Sequence, residues 1–177
     1  MPSRRERLLD LAEALLEREG LENFGVSALA REAGVKPPSL YKHFSGAEEI
    51  EHALVARWFR RLAEGLEAAE RRAGGAERLV SFGVAYRGLA TASPQLYRLA
   101  AERPIDRALL ERLDGGSEAA AMVAVLRFFG EHEDQRDRAR LAWAAAHGLV
   151  SLEQAGRFPP DADLEAAWRL LSAALAD

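Results

Sequence analysis

The stretch that decides the fold is residues 26–44, which read VSALAREAGVKPPSLYKHF. Its first part carries apolar residues at helical spacing and then a glycine that ends the helix: Val26, Leu29, Ala30 and Ala33, followed by Gly34. Pro37 and Pro38 suit the first turn of a second helix, predicted over residues 37–44 with Leu40 and Phe44 facing inward. Two short helices joined by a glycine turn are typical of a helix-turn-helix.

The same helical period extends outward from this stretch across the whole chain, and strict strand-like alternation is missing. Ser93 followed by Pro94 predicts an N-cap and the first position of a helix that closes before Pro104. The fold class predicted is all-α, with a three-helix head over residues 1–46 and a larger helical domain over residues 47–177. The other predicted helices cover 4–19, 47–72, 76–92, 105–113, 118–130, 134–156 and 161–176.

Composition excludes several classes of function. The chain has 177 residues, a formal net charge of -4 and no cysteine, which rules out disulfide frameworks, Cys-ligated zinc sites and thiol nucleophiles. No apolar run reaches the roughly 18 residues of a membrane span. No apolar stretch of a secretory signal follows the charges at the N-terminus. We therefore expect no membrane partner and a location in the cytoplasm.

Catalytic and metal-binding patterns are also missing from the sequence. It contains no phosphate-binding glycine loop, dinucleotide fingerprint or nucleophile elbow. The single Glu-x-x-His, Glu49–His52, lacks the second motif that a di-iron bundle needs. The run Glu131–Asp134, which includes His132, is predicted to be solvated. We predict no catalytic residue, no metal and no cofactor; metal retained by protein purified without chelator would favour a di-metal enzyme instead.

The second helix of the predicted helix-turn-helix has the chemistry of a DNA-reading segment. In this motif the second helix enters the major groove, while the first crosses the backbone. No acidic residue lies between Glu32 and Glu48, and an acidic side chain there would repel phosphate. The alternative interpretation is a solvated helix face of similar composition. The candidate groove-facing residues combine cations, phosphate donors and small residues that fit near base edges: Lys36, Pro38, Ser39, Tyr41, Lys42 and His43.

With these residues in place, the segment from Ala30 to Phe44 resembles the DNA-binding domain of the TetR family of bacterial transcriptional regulators, and the resemblance extends over about residues 5–60. It implies that Tyr41 and His43 contact phosphates. It also implies a homodimeric repressor that binds a palindromic double-stranded DNA operator and is released by a small molecule. By the same resemblance, the residues near bases or their sugars are Ser27, Lys36, Pro38 and Ser39.

Two positions depart from the family pattern. Gly25 stands where many members have Ser or Thr, and Ala47 where many have Lys. One phosphate contact per subunit is then missing, which lowers the salt dependence of binding by about 0.9 per lost contact. These departures favour a second hypothesis, a helical ligand-binding or structural dimer whose DNA-binding head is vestigial.

A second local resemblance lies near the C-terminus. Residues 143–153, WAAAHGLVSLE, resemble the Trp/His-Gly segment of one group of TetR-family C-terminal domains. This implies that the last two long helices pair with those of a partner subunit as a four-helix bundle. The residues predicted for that interface are Ala145, Gly148, Leu149, Leu152, Leu164, Trp168 and Leu171.

Residues of the central helices are candidates for an effector pocket, and their interpretation is open. An aromatic stripe at helical spacing fits a packed core as well as a pocket wall. Trp143 and His147 suit helix packing as well as ligand contact, and Arg87 meets an anionic ligand or extends to water. The candidate set is Phe82, Tyr86, Arg87, Tyr97, Met122, Phe129, Trp143 and His147.

Overall fold

A computed structural model describes residues 2–74, 77–131 and 133–176, and within these ranges it contains α-helices and no strand. The predicted all-α fold class is confirmed. Gly75, in the predicted break after the long helix, lies outside the described residues, as do His132 and Ala76, the first residue of the next predicted helix. The helices are α1 (Arg4–Glu19), α2 (Val26–Glu32), α3 (Pro37–Leu40), α4 (Ala47–Arg72), α5 (Arg78–Ala92), α6 (Pro94–Glu102), α7 (Arg107–Asp114), α8 (Ser117–Leu126), α9 (Gln135–Gln154) and α10 (Leu164–Ala176), with a 3₁₀ turn at Arg127–Phe129.

The helices fall into two compact units. Unit one comprises residues 1–58 and 93–117, and unit two comprises residues 59–92 and 118–177. Helix α4 contributes its first part to unit one and the remainder to unit two. Residues 93–117 therefore group with the N-terminal helices, although the sequence placed them in the larger domain. The functional division between residues 46 and 47 stays a prediction. None of the described helices is long and apolar enough to cross a membrane.

Unit one is built around α1. The hydroxyl of Ser3 accepts the Glu6 N–H at 3.1 Å and caps the helix, and Gly20 ends it at a φ of 81°. Its buried residues lie along one face of the helix. Helix α1 packs against α2 and α6, and α2 packs against α3; the buried residues of the short helices α2 and α3 include Leu29 and Leu40. The buried set of α1 is Leu8, Leu9, Ala12, Leu15 and Leu16.

Arg57 of α4 binds three carboxylates on a second face of α1. The guanidinium of Arg57 is 2.8 Å from Asp10, 3.0 Å from Glu6 and 3.2 Å from Glu13. Burial disfavours the charged guanidinium, but hydrogen bonds to the three carboxylates outweigh it and raise the pKa of Arg57. The three acidic side chains on this face of α1 are therefore paired within unit one.

The N-terminus of α6 is capped by a side chain from α1. Ser93 occupies the N-cap position and Pro94 begins the helix, as predicted. The Ser93 side chain makes no capping hydrogen bond. Instead, the carboxylate of Glu17 accepts the N–H groups of Gln95 at 3.2 Å and Leu96 at 2.9 Å. Gln95 in turn accepts the Leu21 N–H through its side-chain oxygen at 3.1 Å. A carboxylate at a helix N-terminus also stabilises the helix dipole, which Ser93 does only weakly.

Replacing Glu17 by alanine is expected to lower the free energy of unfolding by about 1–2 kcal/mol, because two backbone donors at the start of α6 lose their charged acceptor. Glu17→Gln retains an acceptor oxygen and should lose less. Glu19→Ala is the matched control, since its ion pair with Arg18 is about half exposed on both sides. Urea unfolding of the three variants tests this, and equal losses for Glu17 and Glu19 would contradict it.

Unit two is centred on α5, which packs against α9 and α10. The closest approach is at Gly83, whose hydrogen faces the ring of Trp168. Within the same unit, aromatic rings pack in series with centroids 5.5–6.4 Å apart. Together with the small residues of α9, these rings form the core of the unit. In order of contact, the rings are Phe128, Phe82, Tyr86, Trp143 and Phe59.

The effector candidate Met122 lies on the surface of α8. Met122 is 37% exposed, while Ala121, Ala124 and Val125 are buried. The inward face of α8 therefore runs through positions 121, 124 and 125, and Phe128 continues it in the 3₁₀ turn. Met122 is rotated by about 100° from position 121, since each residue turns an α-helix by that angle.

Candidate nucleic-acid interface

The reading segment is a short helix followed by a turn. Regular α3 ends at Leu40, four residues before the predicted end, and residues 41–43 form turns. The chain still coils there, because the Leu40 carbonyl accepts the N–H groups of His43 at 2.8 Å and Phe44 at 3.0 Å. Pro37 and Pro38 donate no backbone hydrogen bond, so the segment begins with few internal bonds of its own.

Two buried anchors orient this segment. Leu40 and Phe44 are 1% and 2% exposed, so the residues between them are turned outward. Tyr41 is 53% exposed, although it is a large aromatic side chain. The other predicted DNA-contacting residues all lie in unit one, on or beside the packed pair α2 and α3. Ser27, Lys36, Pro38 and Lys42 are exposed, while Ser39 and His43 are half-buried.

Every acidic side chain of residues 2–46 has a partner within the fold. The charges of this stretch balance in the sequence, with seven acidic and seven basic side chains. Arg57 takes three of the acids, and Arg18 pairs with Glu19 and Glu32. The carboxylate of Glu17 caps α6. Glu22 pairs with Arg98 at 3.4 Å.

The basic side chains of the same stretch are used differently. Among the described residues, only Arg5 and Arg18 of this stretch pair with a carboxylate. The other five cations keep their charge available to an external anion: Arg4, Arg7, Arg31, Lys36 and Lys42. Residues 2–46 are neutral by composition but therefore present unpaired positive charge. Two of these unpaired cations, Lys36 and Lys42, flank α3.

A small polar cluster holds the end of the reading segment to the start of α4. The guanidinium of Arg5 lies 5.1 Å from the Phe44 ring centre and 3.1 Å from the Glu49 carboxylate. Glu49 also accepts the Ser45 N–H at 2.6 Å. Burial works against ionisation of Glu49, but the Ser45 hydrogen bond and Arg5 outweigh it, so the pKa of Glu49 is lowered. This cluster fixes the chain directly after His43.

The Glu49 cluster predicts a pH-dependent stability difference. Because its pKa is lowered by folding, Glu49 stabilises the fold above its ordinary pKa, and this stabilisation is lost as the pH falls through the lower folded-state pKa. Glu49→Gln should therefore lower the free energy of unfolding by about 1 kcal/mol at pH 7. The difference from the unaltered protein should vanish in acid. Urea unfolding between pH 7 and pH 3 measures it; a difference that grows in acid would contradict the assignment.

A packed helix pair with buried anchors and an outward face of unpaired cations defines a helix-turn-helix DNA-binding protein. Comparison with known families narrows this class. Residues 8–54 match the family described as bacterial regulatory proteins, tetR family, and residues 79–175 match the tetracyclin repressor-like C-terminal domain. The chain belongs to the TetR family and is a DNA-binding transcriptional regulator. Members of this family are transcriptional regulators rather than a class of enzymes.

Individual relatives agree with this assignment. An uncharacterized HTH-type transcriptional regulator of Mycobacterium tuberculosis is 30% identical over 154 residues, which cover 86% of this chain and 71% of the relative. A protein of unknown function from Rhodococcus sp. RHA1 has a TM-score of 0.80 at 27% identity, covering 100% of this chain and 97% of that one. A TetR-family transcriptional regulator from Streptomyces coelicolor has a TM-score of 0.68 at 26% identity, covering 98% of both chains.

The predicted effector residues are divided between the two units. Phe82, Tyr86 and Trp143 are members of the packed aromatic series. Tyr97 belongs to unit one, where its ring packs edge-on against Trp58 at 5.4 Å. Phe129 is buried, His147 is half-buried, and Met122 lies on the surface of α8. Arg87 forms a two-point ion pair with Glu153, at 2.8 and 2.5 Å.

The cavity that involves Arg87 lies on the other face of α5. It has a volume of about 510 Å³ and is formed by the outer face of α5 and the first half of α10. Apolar lining comes from Val80, Val84, Gly88 and Trp168, and the charged lining includes Arg169. Sequence analysis missed these residues as a site. The sequence pattern that could have revealed them is a second stripe of α5 beside the core stripe. It repeats at helical spacing through positions 80, 84, 87, 88 and 91.

The predicted interface residues of α9 form part of a face that is incompletely covered. Leu152 is 46% exposed, and Leu141, which sequence analysis did not select, is 62% exposed. Ala145, Gly148 and Leu149 are half-buried between them along the helix. On α10, Leu164 and Leu171 are half-buried, whereas Trp168 is only 5% exposed because it packs against Gly83. Leu170, beside them, is 73% exposed.

Proposed function

We propose that the protein is a homodimeric repressor that binds a palindromic DNA operator and leaves it when a small molecule binds unit two. The observation that carries the DNA-binding half is the charge pairing of the head. All its acids are taken up inside the fold, while five cations have no carboxylate partner among the described residues. DNA attracts such a surface, because each phosphate contact releases counterions. Because the proposed target is DNA, the protein acts in the cytoplasm.

Separate roles follow for the residues of the reading segment. Tyr41 and His43 donate to phosphate oxygens, and Lys42 neutralises phosphate charge. Lys36, Pro38 and Ser39 lie toward the base edges, where Lys36 suits guanine. Ser27 contacts the sugar-phosphate backbone from the start of α2, whose own cap, Gly25, offers no side-chain contact. The protein therefore reads few bases and depends strongly on phosphate contacts.

The dimer is proposed to form through α9 and α10. Positions 141, 145, 148, 149 and 152 lie on one face of α9, since they are spaced by three or four residues. That face is apolar and incompletely covered, with Leu141 and Leu152 exposed. Gly148 has no atom near the place where a Cβ would lie, so a partner helix has room for close approach. Leu170 of α10 extends the exposed apolar surface.

Release by a small molecule follows from linkage between the two states of such a dimer. A palindromic operator presents half-sites about 34 Å apart, or at a multiple of this spacing. A ligand that favours a different spacing of the two heads weakens DNA binding by its preference for that state. The cavity beside Arg87 is the proposed effector site, because its volume lies in the range of about 300–1,000 Å³ that is usual for small-molecule sites.

Genomic footprinting after crosslinking in the native host, followed by fluorescence anisotropy on the strongest site, tests the proposal. We expect a palindromic site bound with a Kd of about 10⁻⁸ M and an affinity that falls steeply as salt is raised. Analytical ultracentrifugation of the free protein should give a dimer. Weak binding with no preferred site would favour a ligand-binding dimer with a vestigial head.

A further inference from the structure

We propose that the cavity between α5 and α10 binds an organic monoanion: a molecule with an apolar body and one carboxylate or similar anionic head. This inference depends on the proposed effector role only in what ligand binding would do to DNA binding. The binding chemistry itself follows from three features of the cavity: an apolar wall, an open floor at Gly88 and one arginine from each of the two helices.

The wall of the cavity is apolar along most of its length. Val80 and Val84 contribute branched side chains from α5, and Val84 is 65% exposed in the free chain. Trp168 closes the other side from α10, since its ring is held against Gly83. Covering an exposed valine beside a tryptophan gains roughly 25 cal/mol per Å² of apolar surface removed from water. This wall therefore selects a ligand with an apolar body.

Glycine keeps the floor of the cavity open. A Cβ built at Gly88 meets no atom within 4 Å, although the residue lies in the interior of α5. A glycine in a helix interior costs up to about 1 kcal/mol relative to alanine. Local stability therefore does not account for glycine here. The glycine is explained by the space that it leaves for a ligand against the backbone of α5.

The charged groups around the cavity favour an anion. Arg87 and Arg169 line it, against the single lining carboxylate of Glu165. Arg169 is weakly engaged, 3.8 Å from Asp163 and 61% exposed, so its charge is available to a ligand. Thr91 also lines the cavity, but its hydroxyl donates to the Arg87 and Gly88 carbonyls within α5. An anionic head meets the Arg169 guanidinium directly, and it meets the Arg87 guanidinium by displacing the Glu153 carboxylate that is paired with it.

Arg87 already holds a carboxylate in fork geometry. Its Nε and Nη2 donate to the two oxygens of Glu153 at 2.8 and 2.5 Å. An anionic head that reaches Arg87 competes with Glu153, which lies one residue before the end of α9. Binding at the cavity thus releases a side chain of the helix proposed to form the dimer. Glu153 acts here as an internal competitor for the ligand site.

The proposal is tested with three probes that share one apolar body: decanoate, decanol and decyltrimethylammonium. Isothermal titration calorimetry on the full chain is run below the micellar and solubility limits of each probe. We expect decanoate to bind with a Kd below about 100 µM, decanol at least tenfold more weakly, and the cation not measurably. Equal affinity for all three probes, or no binding of decanoate, overturns the proposal.

Four variants assign the binding to this cavity. Arg87→Gln and Arg169→Gln should each weaken decanoate by about tenfold and leave decanol unchanged, because a charged hydrogen bond is lost. Glu153→Gln should instead tighten decanoate, since it removes the internal competitor. Gly88→Leu fills the floor and should abolish binding of every probe while the melting temperature stays the same or rises. Arg71→Gln, on the exposed end of α4, is the matched control. If Glu153→Gln weakens decanoate, or Gly88→Leu binds normally, the site is wrong.

Failure of this inference is separable from failure of the proposed function. Anisotropy on the operator measures DNA binding without any ligand, so it reports on the repressor alone. If decanoate binds but operator affinity is unchanged, the anion site is supported and its effector role is contradicted. If the operator is bound normally but decanoate does not bind, the repressor function is supported and the anion site is contradicted.

Discussion

Replacing Tyr41 and Lys42 together by alanine is expected to abolish specific operator binding while the fold and the dimer are retained. The double change removes two phosphate contacts per subunit and four per dimer. At about 1 kcal/mol for each contact, the loss is on the order of 1,000-fold in affinity. Tyr41 is 53% exposed and Lys42 is exposed, so neither side chain is needed for packing.

Salt dependence separates this effect from a general loss of charge. Removing Lys42 from both subunits should reduce the slope of log affinity against log salt by about 1.8, since each lost phosphate contact lowers it by about 0.9. Arg71→Ala, on an exposed side chain of α4, removes the same charge outside the head and should change the slope little. Circular dichroism and ultracentrifugation report on fold and dimer. Retained operator binding would show that another segment reads the DNA, and loss of the fold would show that these residues are structural.

The two glycines Gly83 and Gly88 of α5 should respond in opposite ways to alanine. A Cβ at Gly83 would lie 2.9 Å from Cζ3 of Trp168 and closer still to Cε3, so the ring or the helix has to move. Overpacking of this kind costs about 1–3 kcal/mol of stability. At Gly88 the added methyl group meets no atom, and the variant should gain up to about 1 kcal/mol from helix propensity.

Urea unfolding of the two variants, monitored by circular dichroism, measures this difference. The comparison is internally matched, since both changes add one methyl group to the same helix. Gly83→Ala is also expected to change the fluorescence of Trp168. Gly88→Ala only adds a methyl group to the floor of the cavity between α5 and α10, so its effect on this fluorescence should be smaller. Equal stability of the two variants would contradict the close approach of α5 and α10.

The sequence alone determined the fold class and the reading segment. Helical spacing and the prolines at 37 and 38 predicted the helix pair, and the buried positions of Leu40 and Phe44 follow the prediction. This succeeded because the information is local: a helix repeats every 3.6 residues, so two anchors four apart place the residues between them on the outside. The family match over residues 8–54 agrees with the same stretch.

Only the tertiary structure decided how side chains far apart in the chain are paired. The head is neutral by composition, and its surplus of unpaired cations appears only once Arg57 has taken up three acids of α1. Likewise, the carboxylate of Glu17 accepts the Leu96 N–H at the start of α6, and the Tyr97 ring packs edge-on against Trp58. The physical reason is distance: electrostatic and packing energies depend on separations in space, and helical periodicity fixes which face a residue occupies but not which helix lies opposite.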